Sequence, residues 1–155
     1  MRNILKISYF ILVTSCFVSS CTTIDLYEKN ASIPGHRWKS SFQPSFTFTI
    51  KDTTSPYQFY IVLRHTEKYN YTNIYINLHV QPPGKDTTQT IKQDLLLATT
   101  DGWLGKGMDD IYETRIKIGP PQTLKAGIYT FSIEQIMRED PLENVLDVGL
   151  RIEKK

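Results

Sequence analysis

The chain has 155 residues, with 18 lysines and arginines against 16 aspartates and glutamates, and a formal net charge of +2. Removing residues 1–20, which hold Arg2 and Lys6 and no acid, leaves sixteen bases and sixteen acids. A neutral remainder of about 135 residues is long enough for one domain, and it offers neither a basic patch for nucleic acid nor a polybasic segment for anionic lipid.

The first twenty residues have the pattern of a secretory signal peptide. Arg2 and Lys6 precede the apolar stretch Ile7–Val13, which is too short to span a bilayer, and small residues follow it. The alternative is a buried N-terminal strand or helix. The basic start and the small residues favour the signal peptide.

The end of this segment, Val18-Ser-Ser-Cys21, is similar to the bacterial lipobox. The resemblance implies that Cys21 receives a diacylglycerol thioether, that the chain is cut before it, and that the new amine is acylated. Val13-Thr-Ser-Cys16 also fits, but a cut there leaves a very short apolar segment, so Cys21 is favoured. Cys16 is then discarded, and a disulfide, a redox pair and a thiolate metal site are all excluded. Acyl chains contribute about 0.8 kcal/mol per buried methylene, so the lipid would anchor the protein without spanning the membrane.

Residues 21–35 are polar and end in Pro34-Gly35, which predicts a lipidated tether. The folded domain is therefore expected over residues 36–155.

Beyond the tether, apolar and polar residues alternate with period two over short segments, which predicts strands with one buried face. The segments are FTFTI (46–50), YQFYIVLR (57–64), NIYINLHV (73–80), IYETRIKI (111–118), IYTFSI (128–133) and VLDVGLRI (145–152). In the last of them, Leu146, Val148, Leu150 and Ile152 are expected to face inward, opposite Asp147 and Arg151. Residues 91–98 and 133–140 are ambiguous, and either could contain a helical turn. The pattern predicts an all-β fold, a single β-sandwich with jelly-roll or immunoglobulin-like topology.

Catalytic and metal-binding patterns are scarce. His36, His65 and His79 have no carboxylate or second histidine at ligand spacing, and His79 is expected to be solvated on a polar strand face. No serine lies in a GxSxG motif, and the glycines of residues 102–107 lack the spacing and the strand–helix setting of a phosphate-binding loop. The sequence predicts no enzyme activity, no metal and no cofactor.

One candidate partner-binding segment is Asp101–Asp110, in which three glycines surround a Trp-Leu pair. The glycines would let the backbone turn tightly and present Trp103, Leu104 and Lys106 to a partner. The alternative is that Trp103 closes one end of the sandwich and the glycines only permit the turn.

The second candidate is the charged segment 135–142. Arg138 is expected to hold this loop by pairing with Asp140 or Asp101, or else to contact a partner. Adjacent acids such as Glu139 and Asp140 are expected to be solvated rather than catalytic, because neighbours on a strand point to opposite faces.

Several motifs resemble the GldH family of gliding-motility lipoproteins of Bacteroidetes. In chain order they are DTTSPY (52–57), LR (63–64), YxYxN (69–73), WLGKG (103–107), YTFSIEQ (129–135), MREDPL (137–142) and VGL (148–150). WLGKG and MREDPL are the most specific, and the resemblance covers nearly all of the chain after the lipobox.

The resemblance implies a non-catalytic outer-membrane lipoprotein that works with other gliding proteins and the type IX secretion apparatus. Thr22, rather than an aspartate, follows Cys21, and the first acids are Asp25 and Glu28. We therefore expect the domain on the periplasmic face of the outer membrane, where it docks onto an envelope complex by protein–protein contacts.

The alternative function is a glycan- or peptidoglycan-binding module. Five tyrosines fall in two predicted strands and the hairpin between them, and an exposed row of such rings would stack on sugars. They are Tyr57, Tyr60, Tyr69, Tyr71 and Tyr75. Several of these rings are instead expected to pack in the core or against neighbouring strands, which would argue against this alternative.

Overall fold

The computed structural model describes residues 26–155, so the predicted signal peptide and both cysteines lie outside the described residues. The strands are β1 (Leu26–Ser32), β2 (Arg37–Trp38), β3 (Ser45–Ile50), β4 (Pro56–Thr66), β5 (Asn73–Gln81), β6 (Gln89–Leu96), β7 (Ala98–Thr99), β8 (Gly102–Trp103), β9 (Lys106–Met108), β10 (Ile111–Thr123), β11 (Gly127–Gln135), β12 (Leu142–Glu143) and β13 (Val145–Lys154). A single 3-10 turn, Pro34–His36, connects β1 to β2. Within these described residues, no helix has the length and apolarity needed to cross a membrane.

Within the described residues, two antiparallel sheets form the sandwich, and two further pairs of short strands, β2 with β12 and β7 with β8, accompany it. The first sheet has the order β1-β13-β4-β10-β9, and the second has the order β3-β11-β5-β6. Eight of these strands have six or more residues: β1, β3, β4, β5, β6, β10, β11 and β13. When these eight are renumbered 1 to 8 in chain order, the first sheet runs 1-8-3-6 and the second runs 2-7-4-5, which is the jelly-roll order. The predicted all-β sandwich is confirmed, and its topology is the first of the two that the sequence left open.

Strand β1 corrects the predicted tether. Leu26–Ser32 pairs with β13 along its whole length, and the following Ile33 is buried. The expectation that all of residues 21–35 form a tether is wrong, because the inward-facing Tyr27 packs its ring 5.6 Å from that of Phe48. The polar residues Glu28, Asn30 and Ser32 lie on the outer face of the sheet, whereas Lys29 lies on the same face as Tyr27, with its Nζ 5.8 Å from the centre of that ring.

The strand registers give the sandwich two distinct ends. At the lower end, Leu26 lies opposite Glu153, and Thr123 lies opposite Pro56. At the upper end, Ser32 lies opposite Asp147, and Ile111 lies opposite Thr66. The segments 33–44, 66–72, 97–110 and 136–144 all meet at the upper end.

Aromatic rings fill the middle of the core. Phe48 lies within 5.6 Å of the rings of Tyr27, Tyr129 and Phe131, and 6.4 Å from that of Phe59. Since these residues come from β1, β3, β4 and β11, the cluster ties both sheets together. Such offset and tilted ring pairs add to the stabilisation from burial.

The outer face of the first sheet is covered by charged side chains rather than by another layer. Val62 points outward yet is buried, as expected from the mixed faces of segment 57–64. Arg115, directly opposite Val62, extends across the sheet to Glu28 at 3.4 Å, and Arg151 also binds Glu28. Ion pairs on this face thus shield apolar surface as well as linking β1, β13 and β10.

Two local expectations fail, and one ambiguity that the sequence left open is resolved. Leu146 is only half-buried, because a bulge between Val145 and Asp147 inserts an extra residue and turns Val145 inward instead. Residues 91–98 and 133–140 contain no helix, since Gln89–Leu96 pairs with β5 and β11 continues to Gln135. His79 is not simply solvated, because its Nε2 lies 3.1 Å from Glu134 Oε2 and its Nδ1 lies 2.9 Å from Thr90 Oγ1.

A second aromatic cluster closes the core at the upper end. His65 is fully buried, with its ring 4.5 Å from that of Trp103, 5.3 Å from Tyr69 and 5.9 Å from Tyr112. Its Nδ1 lies 2.9 Å from the carbonyl oxygen of Thr66 and must donate, whereas Nε2 has no hydrogen-bond partner in the described part of the chain. Burial lowers the pKa of His65, because a charged imidazolium would be poorly solvated there.

Replacing Phe48 with alanine should lower the free energy of unfolding by about 3–5 kcal/mol, because it removes the ring that joins both sheets. Phe42→Ala is the matched control: Phe42 is 36% exposed whereas Phe48 is 8% exposed, so its loss should cost less than about 1 kcal/mol. Urea denaturation of both variants measures the difference. Equal losses would show that the core does not depend on this ring.

Replacing His65 with phenylalanine should flatten the decline of stability in acid. The folded pKa of His65 lies below its unfolded value near 6.5, so neutral His65 contributes its full stability above that pH. As the pH falls below about 6.5, the unfolded chain binds the extra proton and wild-type stability drops, at most by about 1.4 kcal/mol per pH unit. Urea denaturation from pH 7.5 to 4.5 measures the free energy of unfolding of wild type and variant. The two proteins share every other titrating group, so a difference between their pH curves comes from His65. Parallel curves would rule out a neutral, buried His65.

Candidate functional site

The segment 97–110, which contains WLGKG, is held in place by backbone hydrogen bonds. Strand β8 pairs with β7, and β9 pairs with the start of β10. The backbone N–H of Leu104 donates to the carbonyl of Leu97 at 2.7 Å, and Thr114 Oγ1 donates to the carbonyl of Leu104 at 2.9 Å. The segment is therefore a fixed hairpin-like surface and not a loose loop.

Gly105 is required by this geometry. Its φ of +90° is unfavourable for other residues, and a Cβ atom there would lie 2.1 Å from the carbonyl oxygen of Glu113. The close approach to β10 sets the direction in which Leu104 and Lys106 leave the backbone. This close contact explains why the predicted tight turn requires glycine at position 105.

Trp103 closes the upper end of the core, as one of its two predicted alternatives proposed. Its half-buried ring packs against His65, and it lies 6.0 Å from Tyr112 and 6.2 Å from Tyr69. Leu104 is also half-buried, whereas Lys106 is exposed. Only part of each apolar side chain is therefore available to a partner, and Lys106 is the most accessible of the three.

The segment 136–144, which contains MREDPL, is held by a buried glutamine and a capped aspartate. Gln135 is fully buried, donates to the carbonyl of Trp38 at 3.2 Å and accepts from the N–H of Met137 at 2.8 Å. Asp140 accepts from the hydroxyl of Ser40 at 2.6 Å and from its N–H at 2.9 Å, and these bonds lower the pKa of Asp140. The following Asp140–Pro141 peptide bond is cis.

Arg138 does not have the predicted structural role. Within residues 26–155 it forms no ion pair with Asp140 or Asp101, and its side chain is exposed. The carboxylate of Asp140 instead accepts hydrogen bonds from the N–H and the hydroxyl of Ser40. A contact that joins two segments a hundred residues apart could not be found from local spacing.

Two tyrosines connect the two candidate segments. The ring of Tyr69 lies 5.8 Å from that of Tyr71, and the Tyr71 hydroxyl donates to Glu139 Oε2 at 3.0 Å. The hydrogen bond to Glu139 raises the pKa of Tyr71, and burial raises that of Tyr69, so both hydroxyls stay protonated. The path Trp103–Tyr69–Tyr71–Glu139 thus places WLGKG and MREDPL on the same end of the domain, although they are distant in the chain.

The five tyrosines do not form the exposed row that sugar binding would need, and the expectation that several of them pack inside the domain is confirmed for Tyr57 and Tyr69. Strands β4 and β5 lie in different sheets, so Tyr60 and Tyr75 do not share a surface. Tyr57 and Tyr69 are buried, and Tyr75 stands apart with Lys92 over its ring at 5.6 Å. In residues 26–155 no group of three or more histidine, aspartate or glutamate side chains is placed to hold a metal ion.

Comparisons with known proteins agree with the resemblance read from the motifs. A family model described as GldH lipoprotein matches residues 25–152. The chain is 31% identical over 165 residues to the gliding motility lipoprotein GldH homolog of Christiangramia forsetii, covering 99% of this chain and 98% of that protein. It is 27% identical over 159 residues to the gliding motility lipoprotein GldH of Flavobacterium johnsoniae, covering 97% and 98%.

Among solved structures, the crystal structure of the infectious bursal disease virus VP2 subviral particle aligns with a TM-score of 0.37 and 16% identity, over 83% of this chain and 32% of that chain. Nothing about this protein is inferred from so distant a likeness. The full-length sequence matches and the family model, by contrast, show that the chain belongs to the GldH lipoprotein family.

Proposed function

We propose that this chain is a non-catalytic, lipid-anchored component of the gliding-motility apparatus that docks onto an envelope complex through the upper end of its sandwich. Two relatives over nearly the full length are described as gliding motility lipoproteins, and neither description names a catalytic activity. The proposed location is the periplasmic face of the outer membrane, with the type IX secretion machinery as the source of partners.

The observation that carries this proposal is the direction of β1. If Cys21 is lipidated, only residues 22–25 separate it from Leu26, a span of at most roughly 18 Å. Because Leu26 lies opposite Glu153, the lower end of the sandwich faces the membrane. Strand β4 has 11 residues and is about 36 Å long, so the upper end stands that far from the lipid.

The upper end has the character of a protein-binding surface. Lys106 and Arg138 are exposed there without ion pairs in the described residues, beside the half-buried Trp103 and Leu104. Because their loops are held by hydrogen bonds, binding would cost little ordering entropy. Tryptophan and arginine are the residue types enriched at the energetic centres of protein interfaces, so Trp103 and Arg138 on a rigid support suit a protein partner.

The glycan-binding alternative loses the feature that suggested it, since the tyrosines do not form an exposed row. We therefore propose partner docking alone.

Cys21→Ser should release the protein from the membrane fraction and abolish its labelling by palmitate, because the thioether and the following acylation both depend on that thiol. Cys16→Ser is the matched control and should remain labelled and membrane-bound. Fractionation of cells that express each variant measures the outcome. Loss of the anchor in Cys16→Ser, and not in Cys21→Ser, would reverse the assignment.

Reversing the charges of Lys106 and Arg138 together should reduce cross-linking to partners in intact envelopes by about tenfold, as expected when opposite charges across an interface become like charges. Both side chains are exposed, so the double variant K106E/R138E should fold, whereas a Trp103 variant would disturb the cluster around His65.

The matched control is K85E/K125E, which reverses two exposed lysines near the lower end. It should keep the cross-links of wild type. Unchanged cross-links in K106E/R138E, or loss only in K85E/K125E, would overturn the proposed docking end.

A further inference from the structure

We propose that a groove at the upper end binds an extended acidic segment of a partner protein, with one apolar side chain against Phe42 and carboxylates on Lys39 and Arg37. This inference rests on the proposed function, because it specifies the chemistry of the partner that docks at that end.

The groove has a volume of about 480 Å³ and is lined by Pro34, Arg37, Lys39, Ser41, Phe42 and Pro141. Its walls come from the 3-10 turn, from β2 and the segment after it, and from the MREDPL loop. The candidate segment around Arg138 therefore continues directly into it.

Phe42 is held outward by its backbone. Its N–H donates to the carbonyl of Lys39 at 2.9 Å, and its carbonyl accepts from Nε1 of the fully buried Trp38 at 2.9 Å. The phenylalanine is 36% exposed although its main chain is fixed, in contrast to the buried phenylalanines of the core. A ring kept at the surface next to two prolines, on a rigid support, forms an apolar contact point for an incoming side chain.

The charges of the groove select the partner. Lys39 is exposed and makes no ion pair within residues 26–155; it acts on the nearby Asp140 carboxylate only through its charge, while the hydroxyl and N–H of Ser40 donate the hydrogen bonds that chiefly lower the pKa of Asp140. Arg37 binds Glu143 through Nε at 2.7 Å, its side chain is 59% accessible, and within the described residues its terminal nitrogens make no hydrogen bond. Two cations beside an apolar ring favour a segment that carries both carboxylates and an apolar residue.

The position of the groove argues against a lipid surface as its occupant. Pro141 and Arg37 belong to the end of the sandwich opposite Leu26, where β1 leaves toward the predicted anchor. A free inorganic anion would use the two cations but not Phe42 or the prolines. A protein segment uses all of them.

The test uses the full-length lipidated protein in detergent micelles and fluorescein-labelled ten-residue peptides, followed by fluorescence anisotropy against a background of micelles alone. A peptide that alternates glutamate with leucine should bind saturably. A glutamate–serine peptide should bind more weakly, and a lysine–leucine peptide should not bind.

K39E and F42A should each weaken binding of the glutamate–leucine peptide, K39E by about tenfold. The matched controls are K85E, at an exposed lysine near the lower end, and I128A, at an exposed apolar residue outside the groove. Both controls should bind as wild type does.

Three outcomes would overturn the inference: no saturable binding, equal binding of the lysine–leucine peptide, or equal loss in the control variants. Equal affinity for the glutamate–serine peptide would make the groove a general anion site, and a dimer that F42A dissociates in size-exclusion chromatography would assign it to a second copy; either result also refutes the proposal. Since this assay needs no envelope, its failure is distinguishable from that of the docking proposal, which K106E/R138E tests separately.

Discussion

Strand β1 is held by backbone pairing to β13 over seven residue pairs, from Leu26 with Glu153 to Ser32 with Asp147. Gly149 allows this close fit, since a Cβ atom there would lie 1.8 Å from Asn30 Oδ1. The side chains of Glu28 and Arg151 then reinforce the pairing from the outer face. With the proposed anchor at Cys21, only four residues before β1, the same pairing would determine which end of the domain faces the lipid. Everything proposed about partners depends on that orientation.

The upper end combines rigidity with accessibility. Its buried groups, among them His65, Gln135 and Trp38, hold loops that would otherwise be mobile. Lys106, Arg138 and Phe42 project from these loops into solvent. A protein that binds a partner gains from such preorganisation, because the surface loses its conformational entropy during folding and not during binding.

Period-two alternation correctly predicted the inward-facing residues wherever one strand face is buried and the other is exposed to solvent, as for Phe46, Phe48 and Ile50. It failed at Leu146, where a bulge shifts the register, because a bulge depends on the partner strand. It also missed β1, because the polar residues of this strand resemble a linker. The strand that pairs with it, β13, lies more than a hundred residues away in the chain. The groove could not be predicted although five of its six lining residues lie within 34–42, because its remaining wall, at Pro141, comes from a segment about a hundred residues away.

The amino-acid sequence by itself determined the all-β class, the family, the two specific motifs and the candidate lipidated cysteine, because each depends on patterns of residues that are neighbours in the chain. Only the tertiary structure decided the jelly-roll order, the placement of Trp103 against His65 and the meeting of WLGKG with MREDPL at one end. The physical reason is that strand pairing and side-chain packing join residues far apart in the chain. No local pattern specifies which distant strand supplies the partner.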